Sequence, residues 1–156
     1  MAKNSALLAL ALVAAQRAAA APSLPAVSFA PCPTAPAPAS SWNFTGAPSQ
    51  AGTLVWLGNA SLCLVPRACS SADGAPAALA PCAAAAACGS WADDPYTSFT
   101  LTNAASGNLL TSSGAGGANA TVAAASSTPS QQFVIQGQAV SPASDTTLCL
   151  AAGAAA

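Results

Sequence analysis

Two aromatic rings and two carboxylates lie close together in the segment Trp91-Ala92-Asp93-Asp94-Pro95-Tyr96. A ring can stack on the apolar face of a sugar while carboxylates accept hydrogen bonds from the sugar hydroxyl groups. We predict an exposed loop here that forms a binding platform for a sugar, carried by Trp91, Asp93, Asp94 and Tyr96. In the alternative interpretation, the rings cover one end of the fold and the aspartates cap a turn.

The composition excludes most other chemistry. The 156 residues contain no His and no Glu, with three Lys+Arg and four Asp+Glu in total. A Ser-His or Cys-His catalytic pair is therefore impossible, and a zinc site would have to be built from cysteine alone. Three cations are too few to neutralise a run of phosphates, which excludes nucleic acid as a partner. We expect neither an enzyme nor a cofactor or metal.

The first twenty residues have the features of a signal peptide. Lys3 gives a positive start, residues 6–15 are an apolar run, and small residues at 18–20 suit cleavage after Ala20. A membrane anchor would need roughly 20 apolar residues, but Gln16 and Arg17 interrupt this run. We therefore predict a secreted, extracellular protein with no membrane partner, whose mature domain spans residues 21–156. One Arg and four Asp remain in that domain, so it is mildly acidic.

Cysteine usage and glycosylation motifs agree with secretion. Six cysteines, an even number behind an export signal, predict a disulfide framework, the alternative being reduced, buried thiols. Three N-x-S/T motifs place acceptor sites at Asn43, Asn59 and Asn119. Only 4% of the residues are charged, so attached glycans would supply solubility.

The mature chain has the pattern of a many-stranded all-β domain. Short apolar or alternating runs are divided by Gly, Pro, Ser and Asn, and no amphipathic helical period appears. Residues 31–40 are rich in proline and are predicted to form a loop of extended backbone. Eleven strands are predicted, around residues 27–29, 42–44, 53–56, 62–64, 77–79, 99–101, 108–110, 121–124, 133–135, 139–140 and 148–150.

An internal repeat organises these strands into three units. The pattern aromatic, any residue, apolar occurs at residues 42–44, 99–101 and 133–135, and each occurrence is followed by a glycine and another apolar residue. A Cys-Leu pair then follows in the first and third units, whereas the second unit has Ala118 at that spacing. We predict that the aromatic residues of this repeat are core: Trp42, Phe44, Phe99 and Phe133. Trp56 is expected to be core as well, because it shares a strand face with Leu54.

The segment CLVPRACSSADGAPAALAPC, residues 63–82, resembles the C-L, A-D-G-x-P and closing-cysteine pattern of ricin-type lectin domains. Gln131-Gln132-Phe133 is similar to the Q-x-W motif of that family, with Phe in place of Trp. The paired spacing of the cysteines resembles lectin domains appended to some α-galactosidase-like glycoside hydrolases of algae and protists. The resemblance covers residues 27–152 and implies a β-trefoil of three pseudo-repeats. Its barrel would be closed by the N-terminal strand at residues 27–32, which replaces the strand that the third unit lacks.

The resemblance also bears on disulfide pairing. Of the fifteen pairings that six cysteines allow, we predict Cys63 with Cys82, Cys69 with Cys88, and Cys32 with Cys149. The first two bridges close loops of similar size. The third would tie the two ends of the barrel together.

The function implied by the resemblance is that of a carbohydrate-binding module for galactose-like sugars, acting alone or as the detached appendage of a glycoside hydrolase. Members of the family hold the sugar on a ring two residues before the closing cysteine and with an Asp after the Cys-Leu pair. This sequence has Ala80 and Ala30 at the ring position and Val65 and Ala151 at the Asp position. The alternative is therefore a structural or interaction domain that keeps the trefoil but has lost its sugar sites.

Overall fold

The computed structural model describes residues 25–94 and 99–153, and in this part of the chain the protein is all-β. The predicted signal peptide, residues 1–20, and Tyr96 lie outside the described residues. Four single turns of 3-10 helix separate some of the strands: Pro38–Ser40, Arg67–Cys69, Ala85–Ala87 and Pro129–Gln131. The strands are β1 (Val27–Pro31), β2 (Trp42–Phe44), β3 (Ala51–Trp56), β4 (Leu62–Pro66), β5 (Ala75–Pro81), β6 (Ser90–Asp94), β7 (Thr100–Asn103), β8 (Leu109–Thr111), β9 (Thr121–Ala123), β10 (Phe133–Gln136), β11 (Ala139–Pro142) and β12 (Leu148–Ala152).

Eight of the strands form one sheet in the order β2-β3-β4-β5-β9-β8-β7-β6. An additional antiparallel pairing joins β3 to β6, at Gly52 opposite Trp91, so the sheet curls back on itself like a ring. The remaining strands form two antiparallel pairs, β10 with β11 and β1 with β12. A Cβ atom at Gly52 would lie 2.1 Å from the backbone N of Gly46. Glycine is therefore required where β3 approaches the preceding turn.

The two ends of the chain pair with each other, as the sequence predicts. Strand β1 lies antiparallel to β12 with Phe29 opposite Leu150 and Ala30 opposite Cys149. Both Phe29 and Leu150 are fully buried. The first strand of the described chain is thus the antiparallel partner of the last.

Strand register shows a threefold correspondence in the core. The first strand of each unit carries a buried aromatic residue at its first or second position, and the residues opposite these three are Trp56, Asn103 and Pro142. The buried apolar residue of the second strand stands two positions before each of those partners. The equivalent core residues are Trp42, Trp91 and Phe133 on the first strands; Leu54, Leu101 and Val140 on the second; Leu64, Leu110 and Leu150 on the third; and Leu79, Val122 and Phe29 on the fourth.

This register corrects the predicted alignment of the second unit. Leu101 corresponds to Leu54, not to Phe44, and the aromatic residue that begins the unit is Trp91 in β6, a strand that the sequence analysis missed. Leu109 and Leu110 replace the Cys-Leu pair, so Ala118 was the wrong counterpart. Phe99 is consequently not core: it precedes β7 and is 45% exposed.

The other predicted core aromatics lie where expected or at the edge of the core. Trp42 and Phe133 are buried, whereas Phe44 and Trp56 are partly buried and pack against the core. The structure also contains the three predicted bridges, Cys32–Cys149, Cys63–Cys82 and Cys69–Cys88. The two bridges within the first unit each span 19 residues, and the bridge between the chain ends spans 117.

Candidate functional site

The first ring of the predicted sugar platform at residues 91–96 is buried in the structure. Trp91 has no exposed surface and belongs to the main core cluster. Its indole Nε1 donates a hydrogen bond to the backbone carbonyl of Leu64 at 2.9 Å. A ring with both faces packed by protein cannot stack on a ligand, so the assignment of Trp91 as a contact residue is wrong.

The two aspartates of that segment lie on a strand, not in a loop. Asp93 and Asp94 pair with Leu101 and Thr100 in the β6–β7 hairpin, and both are partly buried. Burial raises the pKa of the Asp93 carboxyl, and the neighbouring charge of Asp94 raises that pKa further. Tyr96, the fourth residue of the prediction, lies outside the described residues. The described part of the segment therefore offers carboxylates without an accessible ring.

The positions that the resemblance to ricin-type domains would assign to sugar binding can be compared across the three units through the strand register. The ring position lies opposite Cys63, Leu109 and Cys149, and it is alanine in every unit: Ala80, Ala123 and Ala30. The residue after the equivalent Leu in each unit, Leu64, Leu110 or Leu150, is Val65, Thr111 or Ala151. None of these side chains is a ring or a carboxylate, so these positions lack the groups that the resemblance implies for a sugar site.

A cavity of about 290 Å³ opens between the Pro-rich segment and the third unit. We call it the Pro-loop cavity. One wall is residues 32–36 with Ser40 and Ser41, and the other comes from Gln136, Gln138 and β11. Its further lining residues are Ala139, Ser141, Thr146 and Cys149. The cavity is thus built from the two ends of the chain and contains no charged side chain.

The wall formed by the Pro-rich segment is held in place from both sides. Ser40 and Ser41 each donate a side-chain hydrogen bond to the carbonyl of Ala37, at 3.3 and 2.8 Å. The backbone N–H of Cys32 donates to the carbonyl of Thr147 at 2.7 Å, and the disulfide to Cys149 fixes the same end. Prolines in the segment restrict it further. The wall is therefore ordered before any ligand arrives.

The opposite wall carries polar groups that are available to a ligand. The side chains of Gln136 and Gln138 are exposed and make no hydrogen bond to any described residue, and the same holds for Thr34 on the Pro-rich wall. Each amide has both a donor and an acceptor group. The arrangement can bind a neutral ligand rich in hydroxyl groups, and it has no group suited to acid–base chemistry.

The sequence analysis missed this cavity because no short motif marks it. The Pro-rich segment was predicted as a loop and nothing more, and the Gln-Gly-Gln turn at residues 136–138 lies about a hundred residues away from it in the chain. The turn itself has a recognisable signal, since Gly137 adopts a positive φ of 61° between two strands. The pairing of β1 with β12, the Cys32–Cys149 bridge and the hydrogen bond from the Trp42 N–H to the carbonyl of Gln138 bring the two segments together.

Within residues 25–94 and 99–153, no three metal-ligating side chains lie close enough to hold an ion, and no helix has the length and apolar character needed to cross a membrane. Comparison of the chain with family models, with curated proteins and with solved structures finds no match.

Proposed function

We propose that the chain is a secreted carbohydrate-binding module with a β-trefoil fold of the ricin-type lectin kind. The threefold correspondence of the core supports the trefoil: each unit contributes four strands, and the fourth strands lie against one another. The backbone N–H of Ala77 donates to Ala120, and that of Ala120 donates to Val27, so β5, β9 and β1 meet in turn. An isolated β-bridge pairs Ala26 with Ala78, so the segment of β1 also lies against β5.

The observation that carries the function is the uncharged polar lining of the Pro-loop cavity. Neutral sugars need side chains that both donate and accept hydrogen bonds, and hydroxyl and amide groups do both. The volume, about 290 Å³, is close to the lower end for small-molecule sites. Because the cavity has no aromatic lining residue, affinity for a simple sugar is expected to be weak, on the order of 1 mM.

Three intrachain disulfides support secretion, because such bridges persist in oxidising compartments. The glycosylation acceptors agree with this proposal. All three Asn side chains of the N-x-S/T motifs are exposed, Asn43 among them although it lies in β2 between two core aromatics.

The test is a titration of the oxidised protein with methyl galactosides and a panel of neutral saccharides, followed by backbone amide NMR. We expect shifts at residues that line the Pro-loop cavity, including the amide of Gln138. The double variant Gln136→Ala/Gln138→Ala should weaken this binding at least about fivefold, as expected for lost amide hydrogen bonds. Gln50→Ala is the matched control, since Gln50 is also an exposed turn glutamine but does not line the Pro-loop cavity.

A second candidate function is a structural or interaction trefoil without a sugar site. The alanines at all three ring positions and the burial of Trp91 favour it. If no saccharide of the panel shifts any amide at millimolar concentration, this second function replaces the first.

A further inference from the structure

A second cavity, of about 410 Å³, lies at the junction of the second and third units. We call it the Gln131 cavity. It is lined by Thr100 and Leu109 on one side and by Ala125, Ser127, Thr128, Gln131 and Gln132 on the other. Strand register makes Thr100 equivalent to Ala139 and Leu109 equivalent to Cys149, and Gln131 and Gln132 stand where Ser40 and Ser41 stand. The two cavities therefore occupy the same place in successive units.

The third equivalent place, at the junction of the first and second units, is filled. There a small apolar cluster of Cys63, Val65, Ala85 and Cys88 packs beneath the turn at Ala85–Ala87, with Val55 and Ala80 against it. The bridge from Cys88 to Cys69 fixes this turn. Apolar side chains therefore occupy this place, whereas polar side chains such as Ser41 and Gln132 line the other two.

The connecting segment at the Gln131 cavity is held by one buried amide. The Gln131 side chain donates to the carbonyl of Ala124 at 2.8 Å and accepts from the backbone N–H of Ser126 at 2.8 Å. It also donates to the hydroxyl of Thr111 at 3.3 Å. These bonds occupy Gln131 and shape the segment around it. The side chains of Ser127 and Gln132, in contrast, make no hydrogen bond to any described residue.

The backbone of an exposed aromatic residue adjoins this cavity. Phe99 precedes the lining residue Thr100, and its carbonyl accepts a hydrogen bond from the N–H of Phe133, next to the lining residue Gln132, at 2.6 Å. Phe99 is 45% exposed and has a φ of 54°. A positive φ is costly for a bulky side chain, and strain of this kind is concentrated at binding sites. The counterparts of Phe99 in the other units are Gly52 and Gln138, so neither of those units has a ring here.

We propose that the Gln131 cavity is a second saccharide site, distinct from the Pro-loop cavity, in which Phe99 provides a stacking surface and Gln132 and Ser127 bind hydroxyl groups. The ligand class, a neutral saccharide, rests on the proposed function. A ring beside hydroxyl and amide groups suits a pyranose with one apolar face. The site at Phe99 should therefore bind methyl galactosides or other neutral saccharides more tightly than the ring-less Pro-loop cavity does.

The experiment is an NMR titration of the full secreted protein with methyl galactosides and the saccharide panel, with the amides of Gln132 and Gln138 as separate reporters. We expect both amides to shift, with Gln132 saturating at the lower concentration. Phe99→Ala should weaken binding at Gln132 by about fivefold, the contribution of one ring contact, and Phe99→Tyr should restore it. Leu57→Ala is the control, because Leu57 is an exposed large apolar residue, 36% accessible, that lines neither cavity.

The outcomes separate the two proposals. Shifts at Gln138 alone, unaffected by Phe99→Ala, would overturn the second site and leave the proposed function intact. Shifts at Gln132 that respond to Phe99 but not to Gln136 and Gln138 would support the second site and move the proposed function to it. An absence of any shift with every saccharide would overturn both.

Discussion

The indole Nε1 of Trp91 donates a hydrogen bond to the backbone carbonyl of Leu64, across the boundary between two units of the fold. Trp42 makes the equivalent bond to Leu150 at 2.8 Å. Phe133 occupies the third such position and has no donor, and it stacks on Phe29 with ring centroids 5.8 Å apart. Replacement of Trp by Phe in the third unit is thus compensated by a ring contact with the N-terminal strand.

This relationship predicts how the second unit responds to substitution. Trp91→Ala should lower the free energy of unfolding by about 3 to 5 kcal/mol, because it truncates a fully buried ring. Trp91→Phe should cost less, about 1 to 2 kcal/mol, since it loses mainly the hydrogen bond and part of the ring volume. Urea unfolding monitored by circular dichroism measures both. An unfolding free energy that is unchanged in Trp91→Ala would contradict the core position of Trp91 and favour a surface position.

Most strands were predictable because turn residues separate short apolar runs. The exception is β6, whose residues Asp93 and Asp94 have low strand propensity and stand next to Pro95. Because the sequence pattern does not predict β6, it assigns to Phe99 the place in the second unit that Trp91 occupies in the structure. Aromatic spacing alone cannot distinguish these two rings. What distinguishes them is strand pairing, which places Trp91 opposite Gly52 and Asn103.

The candidate cavities were less accessible to sequence reasoning than the strands. Each is made by a segment that connects two units and by the hairpin of the preceding unit, so its lining is dispersed along the chain. Gln131 was recognised only as part of a motif similar to Q-x-W. The structure adds that its buried amide organises the segment from Ala124 to Gln131.

The disulfides should differ in their contribution to stability according to loop length. Loop-entropy arguments give about 3 kcal/mol for Cys69–Cys88 and about 5 kcal/mol for Cys32–Cys149, which close loops spanning 19 and 117 residues. We expect Cys32→Ser/Cys149→Ser to lower the denaturant midpoint more than Cys69→Ser/Cys88→Ser does. The reverse order in urea unfolding would show that packing of the apolar cluster around Cys88 outweighs chain entropy.

The carboxyl of Asp93 should make the native state less stable as pH rises through its pKa. Burial, followed by the charge of Asp94, raises this pKa in the folded protein. The folded state therefore binds more protons than the unfolded state between the ordinary Asp value and the raised value, and stability falls across that window. Asp93→Asn should be more stable than the natural protein at pH 7, with the difference disappearing at acidic pH.

Asp145 provides a control of opposite sign for that experiment. Its carboxylate accepts hydrogen bonds from the side chain and the backbone N–H of Thr147, and these bonds lower its pKa. Stability from this group is present above the ordinary Asp pKa and is lost as pH falls through the lowered value. Asp145→Asn should therefore not be more stable than the natural protein at pH 7. Thermal unfolding from pH 2 to pH 7 compares the two variants, and a parallel response would contradict the assignment of opposite shifts.

Secreted material should lack the first residues of the chain and carry glycans. We expect a mature N-terminus near Ala21 and occupancy of at least one of Asn43, Asn59 and Asn119, with Asn43 the least favoured because it lies within β2. Intact mass before and after enzymatic deglycosylation measures both features. A mass equal to the full 14.8 kDa chain would contradict the signal peptide and the glycans together.

Phe133 and Phe99 form a matched pair that tests the threefold register directly. The sequence gives them the same predicted place in the repeat, yet Phe133 is 3% exposed and stacked on Phe29, whereas Phe99 is 45% exposed. Phe133→Ala should cost about 3 to 5 kcal/mol of unfolding free energy as a core truncation. Phe99→Ala should change it by less than about 1 kcal/mol, because Phe99 lies outside the core clusters and alanine tolerates the positive φ no worse. Equal losses in the two variants would restore the register in which Phe99 begins the second unit, whereas the expected inequality assigns that place to Trp91.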